Sequence, residues 1–279
     1  MPATPSEPRR DASPAMPAGT VPPPRVPGHA GLTRALVVGA SRGIGFALAQ
    51  SLAADPQVET LFLASRSAPD SDSLRMLQRQ FGARVELLRC DVCEEPSVEA
   101  LGFALAARGG RLHLVINTAG LLHDTDLAPE KTVRQITLAS LQRAFAVNAF
   151  GSILLARELL PRLAQSEPVV FASLSARVGS IGDNHLGGWY AYRASKAAQN
   201  QLLRSFAIEL SRLNRRSIVL ALHPGTVDTA LSQPFSASVA ADKRFTPEFA
   251  ASCLLDVIAA RTPADSGCFF AWDGKPIPW

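Results

Sequence analysis

Residues 37–48 read VVGASRGIGFAL, and the reading of this stretch decides the fold. It leaves a continuously apolar, β-branched run, ALVVG at 35–39, and passes into an apolar segment long enough for a helix. Gly39, Gly43 and Gly45 mark the turn between them, in GxxxGxG spacing. A glycine without a Cβ lets the chain turn sharply off a strand. Further glycines leave room for a diphosphate against the backbone and for the helix to pack close on the strand. Strand, glycine loop and helix in this order open a nucleotide-binding βαβ unit.

Outward from this loop the pattern repeats. Candidate strands are Ala35–Gly39, Val58–Ala64, Val85–Cys90, Leu112–Asn117, Pro168–Leu174, Ile218–His223 and Cys268–Trp272. Runs such as HLVIN and IVLAL are apolar throughout, as strands covered on both faces require. Candidate helices lie between them at Gly43–Ala54, Ser71–Phe81, Pro96–Ala107, Leu138–Leu163, Tyr192–Leu213 and Pro247–Ala260. In the fifth, Leu202, Phe206 and Leu210 make one buried stripe. The alternation predicts an α/β chain, a single doubly wound Rossmann-type domain with a mainly seven-stranded parallel sheet and helices on both faces.

Nine of the 21 prolines fall within the first 27 residues. Residues 1–33 are therefore expected to be a disordered tail, and 34–279 the folded domain. The 279-residue chain is 47% hydrophobic and 19% charged, a core-forming composition. A net charge of +4 without a dense basic run speaks against nucleic acid. No 18 apolar residues run together without a charge, which speaks against a membrane span. Four cysteines make no disulfide scaffold, and the Cys90–Cys93 pair has no second close pair to complete a zinc site, so no metal is expected. A reducing, cytoplasmic location follows. The histidines, His113, His123, His185 and His223 among them, show no paired ligand spacing and read as local hydrogen-bonding residues.

Cofactor choice can be argued from charge. A strand that favours NAD(H) usually ends in an acid that bonds the ribose hydroxyls. Here the second strand ends LFLASRS, with Ser65 and Arg66 in that place and Arg42 in the glycine loop. Two guanidinium groups and a hydroxyl suit a 2′-phosphate, so NADP(H) is favoured over NAD(H).

The chemical signal lies in GGWYAYRASKAAQNQLL. The chain has only two tyrosines, Tyr190 and Tyr192. Lys196 follows Tyr192 by four residues and shares its helix face, whereas Tyr190 has Ala194 in the same relation. A nearby ammonium favours the phenolate, as a proton donor working near neutral pH requires. Asn148, in FAVNAFGS, is a poor helix former inside an apolar helix.

With GASRGIG, CDV at 90–92, NTAG at 117–120, YRASK and HPGTVDT at 223–229 in order, the chain resembles the short-chain dehydrogenases/reductases. The resemblance implies a general acid/base at Tyr192, a lysine at 196 that lowers its pKa and bonds the ribose, and an asparagine at 148 that bends its helix. It further implies cofactor contacts from Gly39, Ser41, Arg42, Gly43, Ile44, Gly45, Ser65, Arg66, Asp91, Val92, Asn117, Ala119, Gly120, Tyr192, Lys196, Pro224, Gly225, Val227 and Thr229. The loop GSIGDN…GGWYAYRASKAAQN and the ending WDGKPIPW look most like the sniffer and C-factor type carbonyl-reductase branch. The implied activity is NADP(H)-dependent hydride transfer with a small carbonyl or alcohol, in a homodimer or homotetramer. The stretch from Ser232 to Thr246 is expected to cover the pocket.

One position departs from the family. Its catalytic serine stands three residues before a glycine, and counting back from Gly179 lands on Ala176. Ser175 is the expected substitute, with Ser173 and Ser180 as alternatives, or no serine acting at all. Ala176 supports a rival reading, a cofactor-binding regulatory or signalling protein with little or no turnover.

Overall fold

The computed structural model describes residues 24–233 and 244–279. Its sheet has seven parallel strands: β1 (Thr33–Val38), β2 (Val58–Ser65), β3 (Val85–Arg89), β4 (Leu114–Asn117), β5 (Val169–Leu174), β6 (Ser217–His223) and β7 (Cys268–Ala271). They stand in the order β3-β2-β1-β4-β5-β6-β7. The chain reverses its direction of travel between β1 and β4, the switch point where such sheets bind ligands at the strand C-termini. Register brings those ends together, with Val38 beside Asn117 and Asn117 beside Ser173. The doubly wound expectation is borne out.

Alternation along each strand divides the core in two. Ala35, Val37, Ile116 and Val170 pack with Leu48 and Leu52 of α1 (Gly43–Ala54) and Leu254 and Ile258 of α7 (Pro247–Ala259). Leu36, Val38, Val115 and Phe171 face the other side. There they meet Leu101 of α3 (Glu95–Ala106), Leu155 of α5 (Gly151–Leu163) and Leu210 of α6 (Tyr190–Leu213). Each fully buried side chain of this size contributes about 1.5–3 kcal/mol. On α6 the stripe runs through Leu203, Phe206 and Leu210, with Leu202 half-buried at its edge. The remaining helices are α2 (Asp72–Phe81) and α4 (Leu138–Phe145).

Between α4 and α5 the backbone takes one π-helical turn, Ala146–Phe150, so the expected single helix is continuous but carries a bulge. The run Leu138–Leu163 is long and apolar enough to cross a membrane by length and composition. In the fold its Leu155, Ala156, Leu159 and Leu163 are fully buried, while Leu138 and Phe150 are exposed.

The folded unit begins ahead of the expected boundary at residue 34. Arg25 pairs with Asp55, Val26 is buried in the core, and His29 stacks on His113 with ring centroids 4.1 Å apart. His113 accepts the Arg34 N–H at Nδ1 and bonds Glu167 through Nε2 at 2.8 Å, which uses both ring nitrogens. Residues 24–33 are thus held by contacts rather than disordered. The earlier part of the expected tail, and most of the expected pocket cover, lie outside the described residues.

Candidate active site

The glycine loop is shaped by backbone that tolerates no side chain. Gly39 has φ +82°, and a Cβ there would lie 2.5 Å from Thr118 Oγ1. A Cβ on Gly45 would lie 2.2 Å from the Gly39 carbonyl oxygen. The loop therefore closes tightly before α1, leaving a cradle of backbone at the helix N-terminus, where an anion is favoured. Gly43, at φ +54°, lies against Thr229, which brings the turn after β6 to the same loop. Gly225, at φ +81°, is backed by the rings of Phe245 and Trp272.

At the end of β2 the Ser65 hydroxyl is buried and has no hydrogen-bond partner among the described residues. A buried hydroxyl left unpaired costs about 1–3 kcal/mol, so this position suits a ligand acceptor. Arg66 and Arg42 are exposed beside it in sequence and in the loop. The cradle and the orphaned hydroxyl fit a dinucleotide with a 2′-phosphate. Asp91 Oδ1 accepts the Cys93 N–H, an ordinary turn contact. Burial pushes the Cys90 thiol up to about 12 and Cys93 up to about 11, so both stay protonated at neutral pH.

Asn117 joins strands through its side chain, donating to Ser173 Oγ (3.0 Å) and accepting the Ala119 N–H (3.1 Å). Ser173 is the hub of a buried network, also reached by Gln199 Nε2 (2.7 Å) and Ser152 Oγ (3.1 Å). Gln199 accepts from Lys196 Nζ at 3.0 Å, and Lys196 also donates to the Leu174 carbonyl at 2.8 Å. Gln199 and Ser152 are absent from the expected set, whereas Asn117 and Ser173 belong to it in other roles. Only Gln199 carried a signal, standing three residues past Lys196 on the same helix face.

Asn148 sits in the π turn and faces inward. Its amide pairs with both backbone groups of Leu121, at 2.8 Å each, and donates to Ser195 Oγ at 3.0 Å. Ser195 Oγ in turn donates to the Tyr192 carbonyl. A π turn opens the helix backbone locally, which is why such turns recur at functional sites. Where the resemblance implies a bend, the structure has the π turn Ala146–Phe150. Gly120 completes this wall, since a Cβ there would stand 3.6 Å from Asn148 Oδ1 and 3.7 Å from Lys196 Nζ.

Tyr192 is half-buried on the first turn of α6, and Lys196 Nζ lies 5.9 Å from its ring centroid. Burial raises the phenol above its ordinary pKa, and burial lowers Lys196 to about 7. The expectation that the lysine depresses the tyrosine is not met in the protein alone, because Nζ is turned to Leu174 and Gln199. Trp189, at φ +52°, precedes the helix and packs edge-on against Tyr192 at 6.2 Å.

The serine column differs from expectation in direction. Ser175 is buried and its hydroxyl donates to Asn200 Oδ1 at 2.7 Å, so the hydrogen expected to meet a substrate is spent inside the protein. Ser173 is committed to the network above, and Ser180 Oγ accepts the Asp183 N–H at 3.2 Å. His223, beside Pro224, has a buried Nδ1 without a partner among the described residues, and burial lowers it to about 4.

Comparison with known proteins agrees with this geometry. The family described as short chain dehydrogenase matches residues 33–240. The 1-hydroxy-2-glutathionyl-2-methyl-3-butene dehydrogenase of Rhodococcus sp. (strain AD45) is 34% identical over 189 residues, covering 68% of this chain and 78% of that protein. The C-signal protein of Myxococcus xanthus is 32% identical over 183 residues, 63% of this chain and 98% of its own. The NADPH-bound carbonyl reductase from chicken fatty liver superposes with a TM-score of 0.78 at 27% identity, over 89% of this chain and all of that one. The expected likeness to the carbonyl-reductase branch is borne out. With its glycine cradle, its π turn at Asn148 and its Tyr192–Lys196 face, the chain belongs to the short-chain dehydrogenase family.

Proposed function

We propose that this protein moves a hydride between NADP(H) and a small carbonyl or alcohol, with Tyr192 as the proton donor and acceptor. The observation that carries the reading is the placement of Tyr192 and Lys196 one turn apart on α6, against the π turn that presents Asn148. Bound NADP(H) would supply the hydride. Gly39, Ser41, Arg42, Gly43, Ile44 and Gly45 would hold its diphosphate, and Ser65 and Arg66 its 2′-phosphate. Asp91 and Val92 would border the adenine. Asn117, Ala119 and Gly120 would line the middle of the groove, with Pro224, Gly225, Val227 and Thr229 closing over it. Lys196 would bond the ribose and favour the phenolate of Tyr192. The Ser175–Asn200 bond leaves Tyr192 as the principal donor to the substrate oxygen. The NADPH carried by the chicken carbonyl reductase supports this choice of cofactor.

The exposed apolar residues of the α4–α5 run, Leu138 and Phe150, support assembly as a homodimer or homotetramer. We place the protein in the cytoplasm. The test of the activity is loss of NADPH absorbance against a panel of aldehydes, ketones and quinones. A second reading, a cofactor-binding signalling protein, has Ala176, the committed Ser175 hydroxyl and the C-signal relative in its favour. NADPH binding without turnover of any panel member would put it first.

A further inference from the structure

Glu130 lies in the segment between β4 and α4, far in sequence from Tyr192, and it is buried, with 3% of its surface exposed. Among the described residues it forms no salt bridge, and its carboxylate is met instead by two neutral groups. Ala191 N–H, in the first turn of α6, donates to Oε2 at 3.2 Å, and Ser140 Oγ, whose one hydrogen is shared with the nearer Thr137 carbonyl (2.9 Å), lies 3.3 Å from Oε1. The Glu130 carbonyl oxygen accepts the Trp189 N–H at 2.6 Å. One residue thus takes two of the backbone donors that a helix start leaves unsatisfied. A carboxylate is favoured there by the partial positive charge of a 24-residue helix.

Trp189 has no capping side-chain bond of its own and stands in the left-handed region, φ 52° and ψ 44°. Such a conformation persists in a bulky residue only where its surroundings impose it. Its ring rests edge-on against Tyr192. The same segment is anchored again at its other end, where Leu121 pairs with Asn148 and Asn148 with Ser195. The first turn of α6 is therefore tied to the β4–α4 segment on both sides of Tyr192.

We propose that Glu130 is a positioning residue that clamps the start of α6 and so fixes Tyr192 for proton transfer. The inference rests on the reading of Tyr192 as the proton donor. Reach is the operative property, because the bond to Ala191 is made at Oε2, the far end of the glutamate side chain. E130Q keeps that length and an acceptor oxygen, whereas E130D keeps the charge and withdraws the oxygen by one methylene.

The experiment compares full-length wild type, E130Q, E130D and Y192F by amide hydrogen exchange over residues 188–193, by NADPH affinity, and by kcat and KM on the panel carbonyl turned over fastest. In E130D exchange of this turn should quicken by about fivefold or more, the consequence of a lost helix cap. Its kcat should fall about tenfold or more, as for a misplaced reacting group, with NADPH affinity unchanged. E130Q should stay within about threefold of wild type in both, since a retained acceptor preserves the cap. Wild-type exchange and kcat in E130D overturn the proposal, and so does a larger loss in E130Q than in E130D. If E130D does not fold, E130Q still decides, because loss of protection there contradicts the reach argument. Turnover surviving in Y192F would overturn the proton-donor reading instead, leaving hydrogen exchange to judge the clamp.

Discussion

The two ends of the binding groove are made of different material. Around β1 and α1 the working surface is backbone: Gly39 and Gly45 leave no room for a Cβ, and the main chain folds onto itself to form the cradle. Around β5 and α6 the working surface is a set of buried polar side chains: Asn117, Ser173, Gln199 and Lys196 are hydrogen-bonded in a chain, and Asn148 is bonded to Ser195 beside them. A backbone device depends on what a few adjacent residues lack. A side-chain network depends also on partners far apart in sequence, 56 positions for Asn117 and Ser173 and 26 for Gln199 and Ser173. Substitutions at the two ends should accordingly separate binding from chemistry.

Tyr192→Phe is the sharpest way to break the chemical end alone. The ring still fills its half-buried site, but the proton is gone, so turnover should fall by about 10²–10⁴. NADPH affinity should remain within a few-fold, measured by fluorescence titration. Turnover near wild type would remove the distinction between the two ends.

Arg66→Ala probes the opposite end. A charge-assisted bond to a phosphate contributes about 1.5–3 kcal/mol, so NADPH affinity should drop roughly tenfold to a hundredfold. NADH lacks that phosphate and should be nearly indifferent. Equal losses for both would place Arg66 on the shared diphosphate and leave the Ser65 hydroxyl without its intended acceptor.

These two predictions also mark how much was legible beforehand. The glycine loop and the strands could be read because their signals are local: glycine where φ is positive, and unbroken apolar runs where both faces are covered. Tyr192 and Lys196 were legible because helix geometry puts i and i+4 together. The early start of the fold was not, since Arg25, Val26 and His29 are single anchors with no periodicity. Nor was the π turn at Asn148, because a one-residue bulge hardly disturbs an apolar pattern. Glu130 was invisible for the same reason as the Ser173 network: its partner Ala191 lies 61 positions away.

Lys196 offers a smaller effect with a defined sign. Burial lowers its pKa from 10.5 to about 7, so between those values the unfolded chain binds the proton and the folded one does not. Wild-type stability should therefore rise with pH across that window, and the burial penalty is full below pH 7. Lys196→Met lacks this linkage. Its melting temperature relative to wild type should be higher at pH 6 than at pH 10, by about 2–4 °C for each kcal/mol of penalty removed. A difference independent of pH would mean that the ammonium is solvated and that this end is less dry than its side chains indicate.

The smallest expected change in activity is at Ser175, and it tests whether the chemical end works without a serine. Its hydroxyl is bonded to Asn200 Oδ1 at 2.7 Å and is 4% exposed, so it belongs to the packing of β5 on α6. Ser175→Ala should cost about 1 kcal/mol of stability, the usual result of leaving a buried acceptor unpaired. Turnover should stay within about threefold, because no bond to the developing oxyanion is lost. A loss of about a hundredfold or more, with stability intact, would show that the hydroxyl leaves Asn200 to meet the substrate. Ala176→Ser then gives the complementary reading, since it adds a hydroxyl at the position the family uses. A gain there, together with no effect at Ser175, makes the chain a catalyst weakened at one donor. No gain means that Tyr192, held by the network and by Glu130, carries the proton transfer unaided.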